Sequence, residues 1–277
     1  MFSNRDCIDS KFSYVSSLYE KNALNMDLFT TDLISPMLAL VFVLLAGFTS
    51  FFSAAFGAVG GLMLLVVMAS FMPMTLVVPI HGLVQLGSNT NRLLLSFKHI
   101  DKSMFIYFTL GGAAGAVLSS FIVSNIQFDV MKLVAGVFVI YILWGKTLLL
   151  HSRSILWRLA GGFATTFISM FIGASGPLVG SCLHMSNYSK MRFTATFSSI
   201  MSTQHLFKAG VYGVVGFSFW QWLPLVGAMV FSGAIGTWLG IRLLNHIPTG
   251  KFKCIFKYIL TLLALQLAWQ GFKSLCN

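Results

Sequence analysis

The sequence predicts an all-α polytopic membrane protein made of two inverted repeats, each a glycine-broken helical hairpin followed by three transmembrane helices. Three observations predict it. Of 277 residues, 57% are hydrophobic and only 9% charged, whereas a soluble domain carries about 25% charged residues. Uncharged apolar stretches near the ~20 residues needed to span a bilayer recur from Leu33 onward. A glycine-rich motif and the helices behind it occur twice.

The first 32 residues are a polar tail, with three basic residues against five acidic ones. The apolar run begins too late for a cleavable signal peptide, so none is expected. Residues 33–150 form the first membrane repeat and 151–277 the second. From residue 33 on, 15 Lys or Arg face only Asp101 and Asp129. Scattered between apolar spans, these charges fit the positive-inside rule. They form no basic stripe, so no nucleic-acid partner is expected. Cys7, Cys182, Cys254 and Cys276 show no ligand spacing, and neither a metal nor a cofactor is expected.

The repeat is read from Gly57-Ala58-Val59-Gly60-Gly61, matched 116 residues later by Gly173-Ala174-Ser175-Gly176-Pro177. The same offset carries Arg92 onto Lys208, and an offset of 121 carries Gly112 and Gly115 onto Gly233 and Gly236. In each half an apolar helix (33–56; 155–172) meets the glycine break, and a short piece follows (62–72; 177–186). Eleven residues rise about 16 Å, half of a ~30 Å hydrocarbon core. The longer helices are expected over 74–97, 104–124 and 130–150, then 193–213, 221–242 and 254–272. A hairpin that returns to its own side leaves three crossings per half, which inverts the halves. The charges agree: Lys98, Lys102, Lys146, Arg153, Arg158, Lys190, Arg192, Arg242, Lys251 and Lys253 then share one face, expected to be cytoplasmic.

Backbone leaves a helix at membrane depth only where it is buried in protein or lines a watery cavity. Paired breaks therefore point to a binding site, with Leu62 and Leu178 opening half-helices whose N–H groups face an anion. On this reading Gly57, Gly60, Gly61, Gly173, Ser175 and Gly176 cradle the ligand; on the alternative reading the glycines only allow close packing. For Gly112, Gly115, Gly233 and Gly236, which lie inside helices, packing is the expected role.

His81, Gln85, Asn89 and Arg92 are spaced four, four and three apart, one helical face. Such a stripe must turn inward from lipid, as a substrate pathway or as interhelical hydrogen bonding. The equivalent helix carries Thr196, His205 and Lys208 among several hydroxyls, and His205 and Lys208 fall on the positions of Asn89 and Arg92. Cations from both halves with no intramembrane carboxylate suit a small anion and disfavour a cation substrate. If protons are coupled, only His81 or His205 could titrate near neutral pH without a large pKa shift.

The glycine break, the polar helix ending in Lys98-His99-Ile100-Asp101, the helix Gly111-Gly112-Ala113-Ala114-Gly115-Ala116 and their duplication resemble the TauE/SafE family of membrane permeases over about residues 35–272. The resemblance implies a secondary transporter, an exporter, of a sulfur oxyanion such as sulfite or an organosulfonate, in a bacterial cytoplasmic membrane. The family's second glycine run is fuller than the Gly173-Ala174-Ser175-Gly176-Pro177 found here. Two other classes remain: a passive anion channel, and an intramembrane enzyme. The second lacks a carboxylate to orient a histidine, and no nucleotide-binding loop is present.

Overall fold

The computed structural model describes residues 34–56, 59–123, 128–145, 154–184, 188–243 and 249–276. Ten α-helices and two 3-10 turns make up the described chain, in the order α1 (Pro36–Phe56), α2 (Val59–Phe71), α3 (Met74–Leu94), α4 (Lys102–Val123), α5 (Phe128–Trp144), α6 (Ile155–Ile172), α7 (Gly176–His184), α8 (Lys190–Val214), α9 (Leu223–Leu243) and α10 (Thr249–Cys276). The 3-10 turns are Phe97–His99 and Trp220–Trp222. The all-α architecture is the one the sequence predicts.

Among the described residues, four helical stretches are long and apolar enough to cross a bilayer: Pro36–Ser53, Lys102–Val123, Ile155–Ile172 and Trp220–Gly240. They bear exposed Leu44, Phe121, Leu156 and Phe231, side chains that only lipid solvates cheaply. The chain is an integral, multi-pass membrane protein. Helices α3 and α8, with 21 and 25 residues, are also long enough to span. Their polar residues are buried instead of facing lipid: His81, Ser88, Asn89 and Arg92 on α3, and Thr196, Ser198, Ser199, Gln204, His205 and Lys208 on α8. A polar face at membrane depth must pack inward, and here the two polar faces pack on each other.

The half-helices begin earlier than expected. Helix α2 starts at Val59, so Gly60 and Gly61 lie inside it, and α7 starts at Gly176 with Pro177 in its first turn. Proline is tolerated there because the first turn makes no internal N–H bond. With 13 and nine residues, about 20 and 14 Å long, neither reaches across a bilayer. Helix α6 closes on Gly173, whose φ of 92° is the left-handed cap that glycine adopts without Cβ strain. Gly57 lies outside the described residues.

The in-helix glycines pack helices together, as expected. A Cβ at Gly112 would meet Thr166 and Gly162, and one at Gly115 would meet Phe163. One at Gly233 would meet Ser50 and Ala46, and one at Gly236 would meet Gly47. Shifted forward by 121 on α4 and back by 116 on α6, the first set of pairs becomes the second. The α4–α6 and α1–α9 contacts are thus equivalent, each a close approach of backbones that small residues permit.

One end of the molecule is tied by a polar cluster. The Asp101 carboxylate caps α4 by accepting from Met104 N at 3.0 Å, and its other oxygen accepts from Tyr188 Oη at 2.7 Å and Arg192 Nη2 at 2.9 Å. Burial alone would raise the Asp101 pKa, but these hydrogen bonds and the Arg192 charge outweigh it and hold it below the ordinary value. Arg192 also lies 5.1 Å from the centre of the Tyr188 ring, and Arg158 Nη1 donates to Ser103 Oγ at 2.8 Å. The end of α3 and the starts of α4, α6 and α8 therefore share this end.

Candidate functional site

Helices α3 and α8 cross at Gly82, where a Cβ would lie 2.9 Å from Lys208 Cδ. This close approach brings both polar faces against the two half-helices. His81 Nε2 hydrogen-bonds the Gly61 carbonyl at 2.9 Å, so α3 holds the first turn of α2. Lys208 Nζ donates to the Gly173 carbonyl at 2.7 Å, so α8 holds the end of α6. A cation at that place answers the negative end of the helix dipole and an otherwise orphaned carbonyl.

Between these elements lies a narrow cavity lined by Ser53, Gly61, Leu62, His81, Gln85, Asn89, Arg92, Ala174, Gly176, Phe197, Met201 and His205. Its free volume is about 20 Å³, room for one water. The whole stripe predicted on α3 reaches it. Asn89 Nδ2 donates to Gln85 O at 2.8 Å, while Asn89 Oδ1 is buried with no partner among the described residues. Arg92 donates to Ser88 through Nε (3.4 Å to the carbonyl) and Nη2 (3.1 Å to Oγ), which leaves most of its five N–H donors for other acceptors. His205 is fully buried, and neither of its ring nitrogens has a partner among the described residues. Among the described residues, no carboxylate lines the cavity.

Of the glycine-break residues, Gly61 and Gly176 line the cavity. Gly60 turns the other way, toward α1, where a Cβ would run into Thr49 O and Ser53 Oγ; it serves close packing of α1 on α2. Gly173 supplies the α6 cap and the carbonyl that Lys208 holds. Ser175 donates to Gln204 Oε1 at 2.7 Å, and Gln204 Nε2 donates to Thr165 Oγ1 at 2.8 Å, a buried chain from α7 through α8 to α6. Thr196 lies at the Asp101 end and accepts from Asp101 N at 3.0 Å, away from the cavity. Lys208 is fully buried behind the lining.

Ser53, Ala174, Phe197 and Met201 are the lining residues that sequence reasoning passed over. A signal for two of them exists: under the 116-residue offset Phe197 and Met201 fall on His81 and Gln85, as His205 falls on Asn89. Ala174 sits inside the duplicated motif, and Ser53 falls on Ser169 under the same offset.

A family model described as Sulfite exporter TauE/SafE matches residues 41–267. That range takes in every residue of the cavity. No curated protein and no solved structure matches the chain.

Proposed function

We propose, from the premise that this chain belongs to the sulfite exporter TauE/SafE family, that it is a secondary transporter carrying sulfite or a small sulfonate through the cavity between α2, α3, α7 and α8. Membership in the family implies membrane transport of a sulfur anion; the substrate range, the export direction, the bacterial cytoplasmic membrane and the mechanism are our reading. One observation carries it. The cavity joins Arg92 to the neutral donors of Gln85, Asn89 and the histidines, at the start of α7 and with no carboxylate on its walls among the described residues. An oxyanion offers only acceptors, and charge-assisted bonds from a guanidinium fork and from helix-start N–H groups match it.

We read the two halves as inverted repeats that expose this site alternately. Supporting this, α3 ends at the Asp101 cluster where its counterpart α8 begins. Cysteines placed at 125–129 and at 187–192 should label from opposite sides of the membrane, and labelling of both from one side would sink the inversion. The narrowness of the cavity favours a carrier over an open channel.

The deciding experiment is uptake by proteoliposomes offered sulfite, thiosulfate, sulfate, taurine, sulfoacetate and a carboxylate. Saturable uptake and counterflow of a sulfur anion are expected. Equal, unsaturable flux of all six would mark a passive channel, and no flux of any sulfur anion would overturn the reading.

A further inference from the structure

We propose that the site takes up one proton together with each anion, and that the His205 imidazole, facing His81 across the cavity, receives it. The inference rests on the anion-binding reading above and deepens it. The two rings stand 6.4 Å apart, centre to centre, at 80°. They differ in their bonding: His81 is engaged through Nε2 with the Gly61 carbonyl, whereas both nitrogens of the buried His205 lack a partner among the described residues. An unsatisfied buried polar group costs about 1–3 kcal/mol, and here the group sits on the wall of a cavity, where a guest can satisfy it.

The charges facing His205 decide what that guest brings. Lys208 stands one turn along its own helix, and α3 contributes His81 and Arg92. Tyr212, further along α8, donates its hydroxyl to Met170 O. Helices α4 and α7 meet α8 through apolar Met104, Phe108, Val179 and Leu183, and α2 brings Gly61 and Leu62 to the cavity. None of these neighbours is negative. In the empty site, a proton on His205 adds a positive charge beside Lys208 and Arg92 with nothing to offset it. When an oxyanion is bound, that charge has a partner, and both ring N–H groups have acceptor oxygens.

Anion and proton binding therefore reinforce each other, and the effect is reciprocal. The proton is taken from water at the open mouth and returned to water at the other, in step with the anion. A monoanion then crosses with no net charge.

The test is titration calorimetry of the full chain in detergent with methanesulfonate, which stays ionised throughout and brings no proton of its own. Measurements run between about pH 6 and about pH 8, where an imidazole exchanges its proton, in buffers of different ionisation enthalpy. Uptake of about one proton per anion is expected, with Kd weakening by at most about tenfold per pH unit. His205→Gln should bind more weakly, with no proton uptake and a flat pH profile, whereas His81→Gln keeps the uptake. Methanesulfonate binding with no proton uptake in the unmutated chain overturns this proposal and leaves the anion site standing. Binding of neither methanesulfonate nor sulfite overturns both. Unchanged proton uptake in His205→Gln or His205→Asn overturns the assignment to His205, and the unmutated chain gives the proton count even if neither variant folds.

Discussion

Arg92 and Lys208 occupy the same position in the two halves, yet the fold uses them differently. Arg92 spends two N–H donors on its own helix at Ser88 and turns into the cavity. Lys208 lies fully buried behind the wall and holds the Gly173 carbonyl at 2.7 Å. The rest of the two faces divides in the same way. Helix α3 lines the cavity with His81, Gln85 and Asn89, where α8 presents Phe197, Met201 and His205. Under the 116-residue offset, one set of positions thus forms the polar wall and the other an apolar wall with a single imidazole. Equivalent position in a repeat predicts where a side chain sits along the helix, but its nearest unsatisfied partner decides what it does.

The comparison predicts its largest effect at Arg92. Arg92→Gln should lower the transport kcat/KM by about a hundredfold, the scale of losing a charge-assisted clamp at a reacting or bound oxyanion, with the melting temperature nearly unchanged. Arg92→Lys should recover only part of this, because an ammonium cannot reproduce the planar fork. Lys208→Met should do the reverse, removing the partner of a buried carbonyl at a cost of about 2 kcal/mol and lowering the yield of folded protein in detergent. Equal loss of folding in both variants would erase the distinction.

The glycines sharpen it next. Gly173→Val forces a branched side chain to φ 92° and against Leu65, 2.7 Å from its Cβ. It should destabilise by about 1–3 kcal/mol, read as a lower melting temperature. Gly61→Ala meets only the movable end of Gln85, at 2.9 Å. That variant should fold normally and lose transport only a few-fold, about 1 kcal/mol in kcat/KM. If Gly61→Ala unfolded the protein instead, the cavity-facing role of Gly61 would be wrong.

Met201→Gln copies the first-half residue onto the second half. It adds one amide to the apolar wall and should change sulfite-against-sulfate selectivity by less than about tenfold in competition uptake.

The smallest effect belongs to the Asp101 cluster. Because the Asp101 pKa is lowered in the fold, its contribution to stability is present above the unfolded value of about 3.9 and is lost as pH falls through the folded value. The Asp101 share of stability, read as the melting difference between the unmutated chain and Asp101→Asn, should thus be constant from about pH 8 to about pH 5 and vanish only below about pH 4. With Arg192 half exposed, Asp101→Asn should cost no more than a few degrees.

Several features were legible in the chain itself because they are local. Apolar run length sets membrane class, spacing of four, four and three sets the α3 face, and paired glycine motifs set where helices break. The TauE/SafE resemblance rested on the same local motifs. Other features were decided by contacts between residues far apart in sequence. That Lys208 holds Gly173 O, that Gly60 faces α1 while Gly61 faces the cavity, and that Thr196 belongs to the Asp101 cluster depend on how α1, α3, α6 and α8 cross. Helical periodicity says which side chains share a face. In lipid, a buried donor settles on the nearest acceptor that packing brings within about 3 Å, and that choice is made only in the assembled bundle.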